Sequence, residues 1–430
     1  MHFDAYVCPM LKRTVIYLLV FGAYFATACT SDADEPAERE TTAIDTWLNR
    51  PAYVPEHDPD LQKALLQLEK TLRHAMQVEH IPGLAVAVVK DGRPVWIKTW
   101  GVKDIQYPKD SVDAHTRFRL ASLSKAFAPA LVAQLVREGR LRWEDPVDAY
   151  LPDFKPQYPK DATQTLQLRH VLSQASGFPY QAFSNRLNQG ESYHFIRPDL
   201  NSVALTHAPG VYFNYQNVVY SLAGDVLEAV TGQCYDSLLQ QRILAPLGMT
   251  DASSGQQAML ATANKAMPHA PDEAGRHRIP LYPNYYSASP AAGLNASIAD
   301  MALWLRALQG YAPDVMDATT LEEMFCIHVP FEPYEPSARQ WRPYSAAGYG
   351  LGMRVVDVPP HTIVYHGGMV NGYRNEMALC PEQKLGICIL TNSFSGMIPH
   401  AVTEFFHQYW AKQTEASSGQ VSLLGADKAR

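Results

Sequence analysis

The dipeptide Asp91-Gly92 lies between two segments, GLAVAVVK and PVWIKTWG, that are rich in β-branched and aromatic residues. Asp and Gly both accept positive φ angles, so this pair favours a two-residue turn between antiparallel strands. Four further segments of strand character, separated by turn residues, occur near the C-terminus: AGYGLGMRVVD, HTIVYHG, RNEMALC and LGICILTNS. We predict that the strands from the two ends of the chain share one antiparallel sheet.

Segments with helical periodicity flank and separate these strands. Leu65, Leu68, Leu72 and Ala75 recur at helical spacing before the first strand, and HAVTEFFHQYWAKQ follows the last strand. The long middle part is mainly helical, with segments such as AFAPALVAQLVREG, in which Pro129 predicts a local kink. The pattern predicts an α+β fold in which an antiparallel sheet, flanked by N- and C-terminal helices, carries a large inserted helical subdomain.

The chain divides into four parts on these patterns. Residues 1–28 contain a basic pair and the apolar run TVIYLLVFGAYFATA, which is too short to span a bilayer and is typical of a signal peptide. Residues 29–56 are acidic and polar, which predicts a tether. Residues 57–415 form the predicted folded domain, with its sheet in about 57–125 and 345–415 and its helical part in about 126–344, and 416–430 predict a loose tail.

The end of the apolar run and the next residue form Ala26-Thr27-Ala28-Cys29, which resembles a bacterial lipobox with Ala26 where Leu is usual. In this interpretation Cys29 is lipidated and becomes the mature N-terminus. The alternative is cleavage near Ala28, which releases a soluble periplasmic protein. Both interpretations predict export to the periplasmic side, with a lipid anchor as the membrane attachment in the first.

Charge, cysteine and histidine patterns exclude several classes of partner. The 430 residues carry a net charge of −7 without a long basic run, which argues against nucleic acid. The cysteines downstream of the predicted leader form no C-x-x-C pair, and we expect buried free thiols: Cys234, Cys326, Cys380 and Cys388. The 15 histidines include no H-E-x-x-H motif, so we predict neither a metal nor a cofactor.

The segment FRLASLSKAFAP places Ser122 and Lys125 three residues apart where a helix is predicted to begin. Their side chains would share one helix face, with the hydroxyl near the positive end of the helix dipole. A lysine whose pKa is lowered by burial and nearby cations can take the serine proton, which makes the hydroxyl a nucleophile. Alone, the pair is better explained as a capped helix start, since a chain of this length contains about one such motif by chance.

Two further segments carry candidate polar groups. Tyr215 and Asn217 lie in a turn before a predicted helix, where a phenol can relay protons and an amide can bond both to Lys125 and to a substrate carbonyl. In VYHGGMVNGYRNE, a predicted strand delivers His366 and then two glycines, which allow a ligand to approach the backbone. Each segment also has a structural explanation, such as a buried tyrosine, a structural histidine or a β-bulge.

In this order, the three segments resemble the motifs of class C β-lactamases, D-Ala-D-Ala carboxypeptidases and related esterases: Ser-x-x-Lys, Tyr-x-Asn and a Lys/His-[Thr/Gly]-Gly triplet. The resemblance spans roughly residues 60 to 412 and includes LRHVLSQASGFP, APLGMTDAS and AAGLNASIADMALWL. It implies a β-lactamase/transpeptidase-like fold and an acyl-serine mechanism.

The resemblance also implies a role for each matching residue. The implied catalytic residues are the nucleophile Ser122, the base Lys125 and the proton-relaying Tyr215. The implied substrate-binding residues are Asn217, Gln181, His366, Gly367, Gly368 and Arg374. The implied oxyanion hole consists of the backbone N–H groups of Ser122 and Met369. Tyr215 is the candidate to activate the deacylating water, with Lys125 and His366 as alternatives.

The third motif departs from class C β-lactamases, which carry Lys-Thr-Gly where this chain has His366-Gly367-Gly368. A permanent cation and a hydroxyl that help to hold a β-lactam carboxylate are therefore missing, and Arg374 is the candidate to restore that contact. The sequence predicts an exported serine hydrolase acting on D-amino-acid amides or β-lactams, either small molecules or peptides derived from peptidoglycan. The alternatives are a carboxylesterase of the same fold and an inactive cell-wall or ligand-binding lipoprotein.

Overall fold

The computed structural model describes residues 58–159, 165–273 and 275–426. The predicted signal peptide, the tether and Cys29 lie outside these residues. Among the residues that are described, no helix combines the length and the apolar character needed to cross a bilayer.

The strands, numbered in chain order, are β1 Gly83–Lys90, β2 Arg93–Gly101, β3 Phe118–Arg119, β4 Ser253–Ser254, β5 His269–Asp272, β6 Gly275–Arg278, β7 Leu294–Ala296, β8 Val329–Pro330, β9 Ala346–Tyr349, β10 Arg354–Val358, β11 His361–Val370, β12 Tyr373–Cys380 and β13 Leu385–Thr391. Eight of them form the main sheet in the order β2-β1-β13-β12-β11-β10-β9-β8. Every neighbouring pair in this sheet is antiparallel. Smaller sheets are formed by β3-β7-β4 and by β5-β6.

The α-helices, numbered likewise, are α1 Pro59–Val78, α2 Phe127–Arg137, α3 Val147–Tyr150, α4 Leu168–Leu172, α5 Ser184–Asn188, α6 Tyr193–Ile196, α7 Val218–Thr231, α8 Tyr235–Leu239, α9 Ala245–Leu247, α10 Gln256–Ala261, α11 Ser289–Ala292, α12 Ile298–Leu308, α13 Ala318–Phe325 and α14 Met397–Ala426. Short 3₁₀ helices span Ala121–Ala126, Arg197–Ser202 and Pro336–Trp341, and a π-helix spans Gln240–Leu244.

The predicted hairpin is confirmed. Asp91 and Gly92 connect β1 to β2 with φ angles of 51° and 68°, which is the left-handed conformation that such a turn requires. Strand β1 also pairs with β13, so the two ends of the chain share one sheet, as predicted.

The main sheet is buried between two hydrophobic layers. Every second residue of β1 from Leu84 to Val88 packs in the core that contains α1 and α14. The alternate residues from Ala85 to Val89 pack in the core that contains α2, α7 and α12. The inserted helical part therefore covers one face of the sheet and the two terminal helices cover the other, which is the predicted α+β fold.

Two local features differ from the sequence-based expectation. The sequence predicts a loose tail from residue 416, whereas the described backbone of α14 is helical to Ala426. Around Pro129 the structure has a change from 3₁₀ helix to α-helix, at Ala126–Phe127, rather than a kink within one helix. Pro129 lies in the first turn of α2, where its missing N–H removes no hydrogen bond within α2.

Candidate active site

A cleft of about 1490 Å³ lies between strand β11 and the helical part of the chain. Residues from all three motifs line it, including Ser122, Tyr215, Asn217 and Gly367. The structure therefore brings together segments that are far apart in the sequence, at the place where their chemistry can act on one ligand.

Ser122 follows a backbone turn that is fixed from several sides. Ala121, the preceding residue, has a φ of 51°, an uncommon conformation for a residue with a side chain. The amide of Asn375 donates to the carbonyl oxygens of Arg119 at 2.9 Å and Leu120 at 3.2 Å, which ties the turn to β12. The Ser122 side chain is consequently held, half-buried, at the surface of the cleft.

Lys125 is fully buried beneath Ser122, and its Nζ atom lies 3.3 Å from Ser122 Oγ. The same amine donates to Asn217 Oδ1 at 2.7 Å and to the carbonyl oxygen of Ala291 at 2.9 Å. A neutral amine has two N–H donors, so these two acceptors use both and leave its lone pair for the Ser122 hydroxyl. Burial, and then the nearby Arg354 guanidinium, hold the pKa of Lys125 well below its usual range.

Tyr215 contacts the same two residues from the side. Ser122 lies close enough to its hydroxyl to lower the pKa of the phenol, and the Lys125 amine lies 4.7 Å from the centre of its ring. Burial raises the pKa of Tyr215 to about 12, although Arg354 and Ser122 act in the opposite direction. Tyr215 is therefore protonated near neutral pH, where it can donate a proton to a departing group.

The side chains of Asn217 and Gln181 form one polar group on the cleft wall. The Asn217 amide donates to Gln181 Oε1 at 3.1 Å, while the backbone N–H of Gln181 donates to the carbonyl of Tyr215 at 3.1 Å. Both residues line the cleft, where the sequence predicts contacts with substrate.

His366 occupies a different position from the one predicted. Its side chain is fully buried, its Nδ1 lies 2.7 Å from the carbonyl oxygen of Gly367, and its Nε2 lies 2.9 Å from the Tyr349 hydroxyl. Because a carbonyl only accepts, Nδ1 carries the proton and Nε2 accepts from Tyr349. Burial, followed by the charges of Arg354 and Lys125, holds the pKa of His366 well below its usual range. The sequence predicts that His366 binds substrate, whereas the structure places a neutral imidazole behind the cleft wall.

Each of the two glycines of the third motif lies where a side chain would clash, and the clashing atoms differ between the two positions. A Cβ atom at Gly368 would lie 2.3 Å from the carbonyl oxygen of Leu120, so only glycine lets β11 approach the turn before Ser122. This approach brings Met369, the next residue, to the cleft surface beside Ser122. A Cβ atom at Gly367 would instead lie 2.6 Å from Arg374 Nη1 and 2.7 Å from Glu376 Oε2.

A family model described as Beta-lactamase matches residues 68–404, which is most of the described chain. The chain belongs to the Beta-lactamase family. The predicted resemblance is therefore confirmed at the level of the family.

This Beta-lactamase-family chain is similar in sequence to two curated relatives from different organisms. Protein flp of Staphylococcus aureus strain N315 is 28% identical over 342 residues, which cover 78% of this chain and 64% of that protein. Unguisins hydrolase ungD' of Aspergillus campestris is 27% identical over 331 residues, covering 73% of this chain and 58% of that protein. The match thus spans less than two thirds of the length of each relative.

Two solved structures share the fold. The octameric penicillin-binding protein homologue from Pyrococcus abyssi superposes with a TM-score of 0.71 at 23% identity, covering 80% of this chain and 76% of the other. EstCE1, a hydrolase with promiscuous acyltransferase activity, superposes with a TM-score of 0.67 at 21% identity, covering 81% of this chain and 99% of the other. At these identities the likeness establishes the β-lactamase/penicillin-binding-protein-like fold.

Arg374 lines the cleft of this Beta-lactamase-family chain, but it already has an anionic partner. Its Nη2 lies 3.0 Å from Oε2 of Glu376, whose side chain is almost fully buried. The pair occupies the space that a side chain at Gly367 would fill. Glu376 was not identified from the sequence, although opposite charges two residues apart on a strand share one face and indicate such a pair.

Arg354 is a second residue that the sequence reasoning missed. It lies on β10 and lines the cleft, with its guanidinium 5.6 Å from the ring centre of Tyr215 and 5.9 Å from that of Tyr349. Its Nε is buried and has no hydrogen-bond partner within the described residues. The sequence feature that could have identified Arg354 is its position as the one charged residue in the apolar segment GMRVV. Arg354 places a permanent positive charge beside the motif residues, although the third motif itself carries none.

Proposed function

We propose that this Beta-lactamase-family chain is an exported serine hydrolase that works through an acyl-serine intermediate on Ser122. The observation that carries this proposal is the contact between Ser122 Oγ and Lys125 Nζ at 3.3 Å, made by an amine that also bonds to Asn217 and Ala291. In its neutral form, an amine with both N–H groups engaged in this way directs its lone pair to the hydroxyl. This is the arrangement that a serine nucleophile and its general base require.

In the proposed acylation step, Ser122 Oγ attacks the carbonyl carbon of the substrate while Lys125 takes the hydroxyl proton. The N–H groups of Ser122 and Met369 stabilise the negative oxygen of the tetrahedral intermediate. Collapse breaks the bond to the leaving amine or alkoxide, which takes a proton from the Tyr215 phenol. The Lys125 ammonium then returns its proton to the Tyr215 phenolate, whose ring centre lies 4.7 Å from the amine.

Deacylation uses water, or another acyl acceptor, in place of the leaving group. Because the pKa of Tyr215 is about 12, little phenolate is present near neutral pH to act as a base. Both ring nitrogens of His366 are engaged, with Gly367 and with Tyr349. Lys125, whose pKa is lowered, is therefore the group we assign to activate the water. This revises the preference for Tyr215 that the sequence alone supported.

The substrate class that we propose is a D-amino-acid amide or a β-lactam, with an ester as the second candidate. The ion pair between Arg374 and Glu376 favours the second candidate, because a guanidinium paired at 3.0 Å is a weak partner for a substrate carboxylate. If the substrate carries a carboxylate, Arg354 is the better partner, since it lines the cleft and forms no ion pair within the described residues. A carboxylate on the substrate is thus the property that separates the two candidates.

The proposal is tested with purified full-length protein, a fluorescent penicillin and a series of neutral short-chain aryl esters, alongside Ser122→Ala. We expect turnover of at least one substrate class in the wild type and its loss in Ser122→Ala. Turnover of esters without a penicillin adduct assigns the protein to the esterases. Turnover that persists in Ser122→Ala contradicts the proposal, because catalysis would then not depend on this serine. The absence of both turnover and adduct with every substrate contradicts it too and favours the inactive binding protein.

A further inference from the structure

Three chemically reactive side chains converge on the edge of the main sheet, outside the cleft. Glu323 lies in the last turn of α13, Cys326 follows the helix, and His328 immediately precedes β8. Cys326 Sγ is 3.2 Å from His328 Nε2, and Glu323 Oε1 is 3.6 Å from that nitrogen. All three potential ligand atoms lie within 4.8 Å of one another. Nothing in the proposed acyl-transfer chemistry uses them.

A single imidazole nitrogen faces three electron-rich atoms in this cluster. Besides the thiol sulfur and the carboxylate oxygen, the backbone carbonyl oxygen of Glu323 lies 2.9 Å from His328 Nε2 and 3.5 Å from Cys326 Sγ. The cluster has two donors, the thiol S–H, which donates to the Glu323 carbonyl oxygen, and one imidazole N–H, which cannot serve the sulfur, the carbonyl and the carboxylate together. A cation among them would be bound by all of them, so the convergence favours a metal ion over a hydrogen-bonded cluster.

The spacing of these atoms fits tetrahedral zinc. Zinc bonds to sulfur at about 2.3 Å and to nitrogen or oxygen at about 2.0–2.2 Å, so its ligand atoms lie about 3.3–3.6 Å apart in a tetrahedron. Three of the four separations, at 3.2, 3.6 and 3.5 Å, are close to these values. The fourth, 2.9 Å between His328 Nε2 and the Glu323 carbonyl oxygen, is a hydrogen-bond distance, so this oxygen would have to move slightly to bind the ion. Cysteine, histidine and carboxylate are also the ligand types that zinc prefers.

The electrostatic surroundings also suit a cation. The cluster lies at the C-terminal end of α13, where the helix dipole is negative and the last carbonyl groups lack helical partners. A divalent cation would balance the negative charge of the Glu323 carboxylate and of the thiolate that ligation requires, because metal binding displaces the thiol proton. The nearby cation Arg169 is paired with Glu144.

We propose that Glu323, Cys326 and His328 form a zinc site, with the Glu323 carbonyl or a water molecule as the fourth ligand. On binding, the thiol releases one proton to solvent and the imidazole presents an unprotonated Nε2 to the metal. The ion would fasten the end of α13 to the edge of the sheet, where the backbone N–H of His328 donates to the carbonyl of Tyr349 at 3.0 Å. The site is therefore structural. It escaped the sequence analysis because E-x-x-C-x-H is not a familiar zinc spacing.

The test is a titration of the purified full-length, tag-free protein with Co²⁺, which reports thiolate ligation by a charge-transfer absorption band in the near ultraviolet. We expect one Co²⁺ per chain to produce this band and Zn²⁺ to abolish it by displacement. In Cys326→Ser the band should be lost. In Glu323→Gln the affinity should fall by at least about 100-fold, since even partners outside the ligand shell contribute about 10- to 100-fold.

Cys234→Ser is the matched control, because Cys234 is also exposed but its sulfur contacts only the hydroxyl of Ser237 among the contacts described. This variant should keep the band unchanged. The proposal is overturned by an absent band in the wild type, by a band that Cys326→Ser retains, or by Co²⁺ binding without thiolate absorption. Circular dichroism of each variant confirms that a lost band reflects a lost ligand rather than unfolding.

Discussion

Replacing Arg354 with methionine should make Lys125 harder to deprotonate. The Arg354 guanidinium and the Lys125 amine lie 5.6 and 4.7 Å from the ring centre of Tyr215. The two cations are therefore at most about 10 Å apart, and at an effective dielectric constant of about 20 their repulsion is about 1.6 kcal/mol or more. Arg354 thus favours the neutral amine that the proposed mechanism needs.

The direction of the change in activity follows from the effect of Arg354 on the pKa of Lys125. The pKa of Lys125 is lowered by burial and by Arg354, so removing the arginine raises it and moves the acid limb of kcat/KM to higher pH. At a fixed pH on that limb, 1.6 kcal/mol corresponds to a decrease of about tenfold or more. Arg354→Lys, which keeps the charge, should leave the limb close to its wild-type position.

The assay is the pH dependence of kcat/KM for a neutral aryl ester, because a substrate carboxylate could contact Arg354 directly and confound the comparison. An acid limb that stays in place in Arg354→Met refutes the electrostatic reasoning. An equal displacement of the acid limb in Arg354→Met and Arg354→Lys also refutes it, since that would reflect lost packing rather than lost charge. A change confined to KM would point to substrate binding instead.

Three further changes test other parts of the account. Glu376→Gln should free Arg374 and raise kcat/KM for a carboxylate-bearing substrate relative to its methyl ester by about tenfold, and an unchanged ratio would contradict the ion-pair argument. Trp304→Ala, which removes a buried ring stacked on Phe127 at 3.9 Å, should lower the free energy of unfolding by about 3–5 kcal/mol in urea, against at most about 0.5 for exposed Leu66→Ala. Cys29→Ser should move the protein from the membrane to the soluble periplasmic fraction, and an unchanged distribution would argue against lipidation.

Much of the fold was accessible from local sequence patterns. The Asp91-Gly92 turn, the strands β10 to β13 and the helix α1 follow from residue periodicity and turn chemistry, which act over a few neighbouring residues. The approach of Ser122, Lys125 and Asn217 was predicted through the resemblance, because order and spacing of the motifs carry that information.

The surroundings of the third motif could not be predicted as fully, because they depend on contacts between different strands. His366 is hydrogen-bonded to Tyr349, which lies on β9, and the guanidinium of Arg354, which lies on β10, packs near the ring of Tyr215. The position of His366 away from the cleft face could nevertheless have been predicted from the sequence. Successive residues of a strand face opposite sides, so His366 and Gly368 could not share the cleft face that Gly367 presents.

Mapping of a trapped acyl group determines whether Ser122 is the nucleophile. The wild-type protein is mixed with a slowly hydrolysed aryl ester or a penicillin, quenched in acid, digested and analysed by mass spectrometry. We expect one acyl group per chain, located on Ser122, and no adduct in Ser122→Ala. Turnover without any adduct, or an acyl group on a residue other than Ser122, would contradict it.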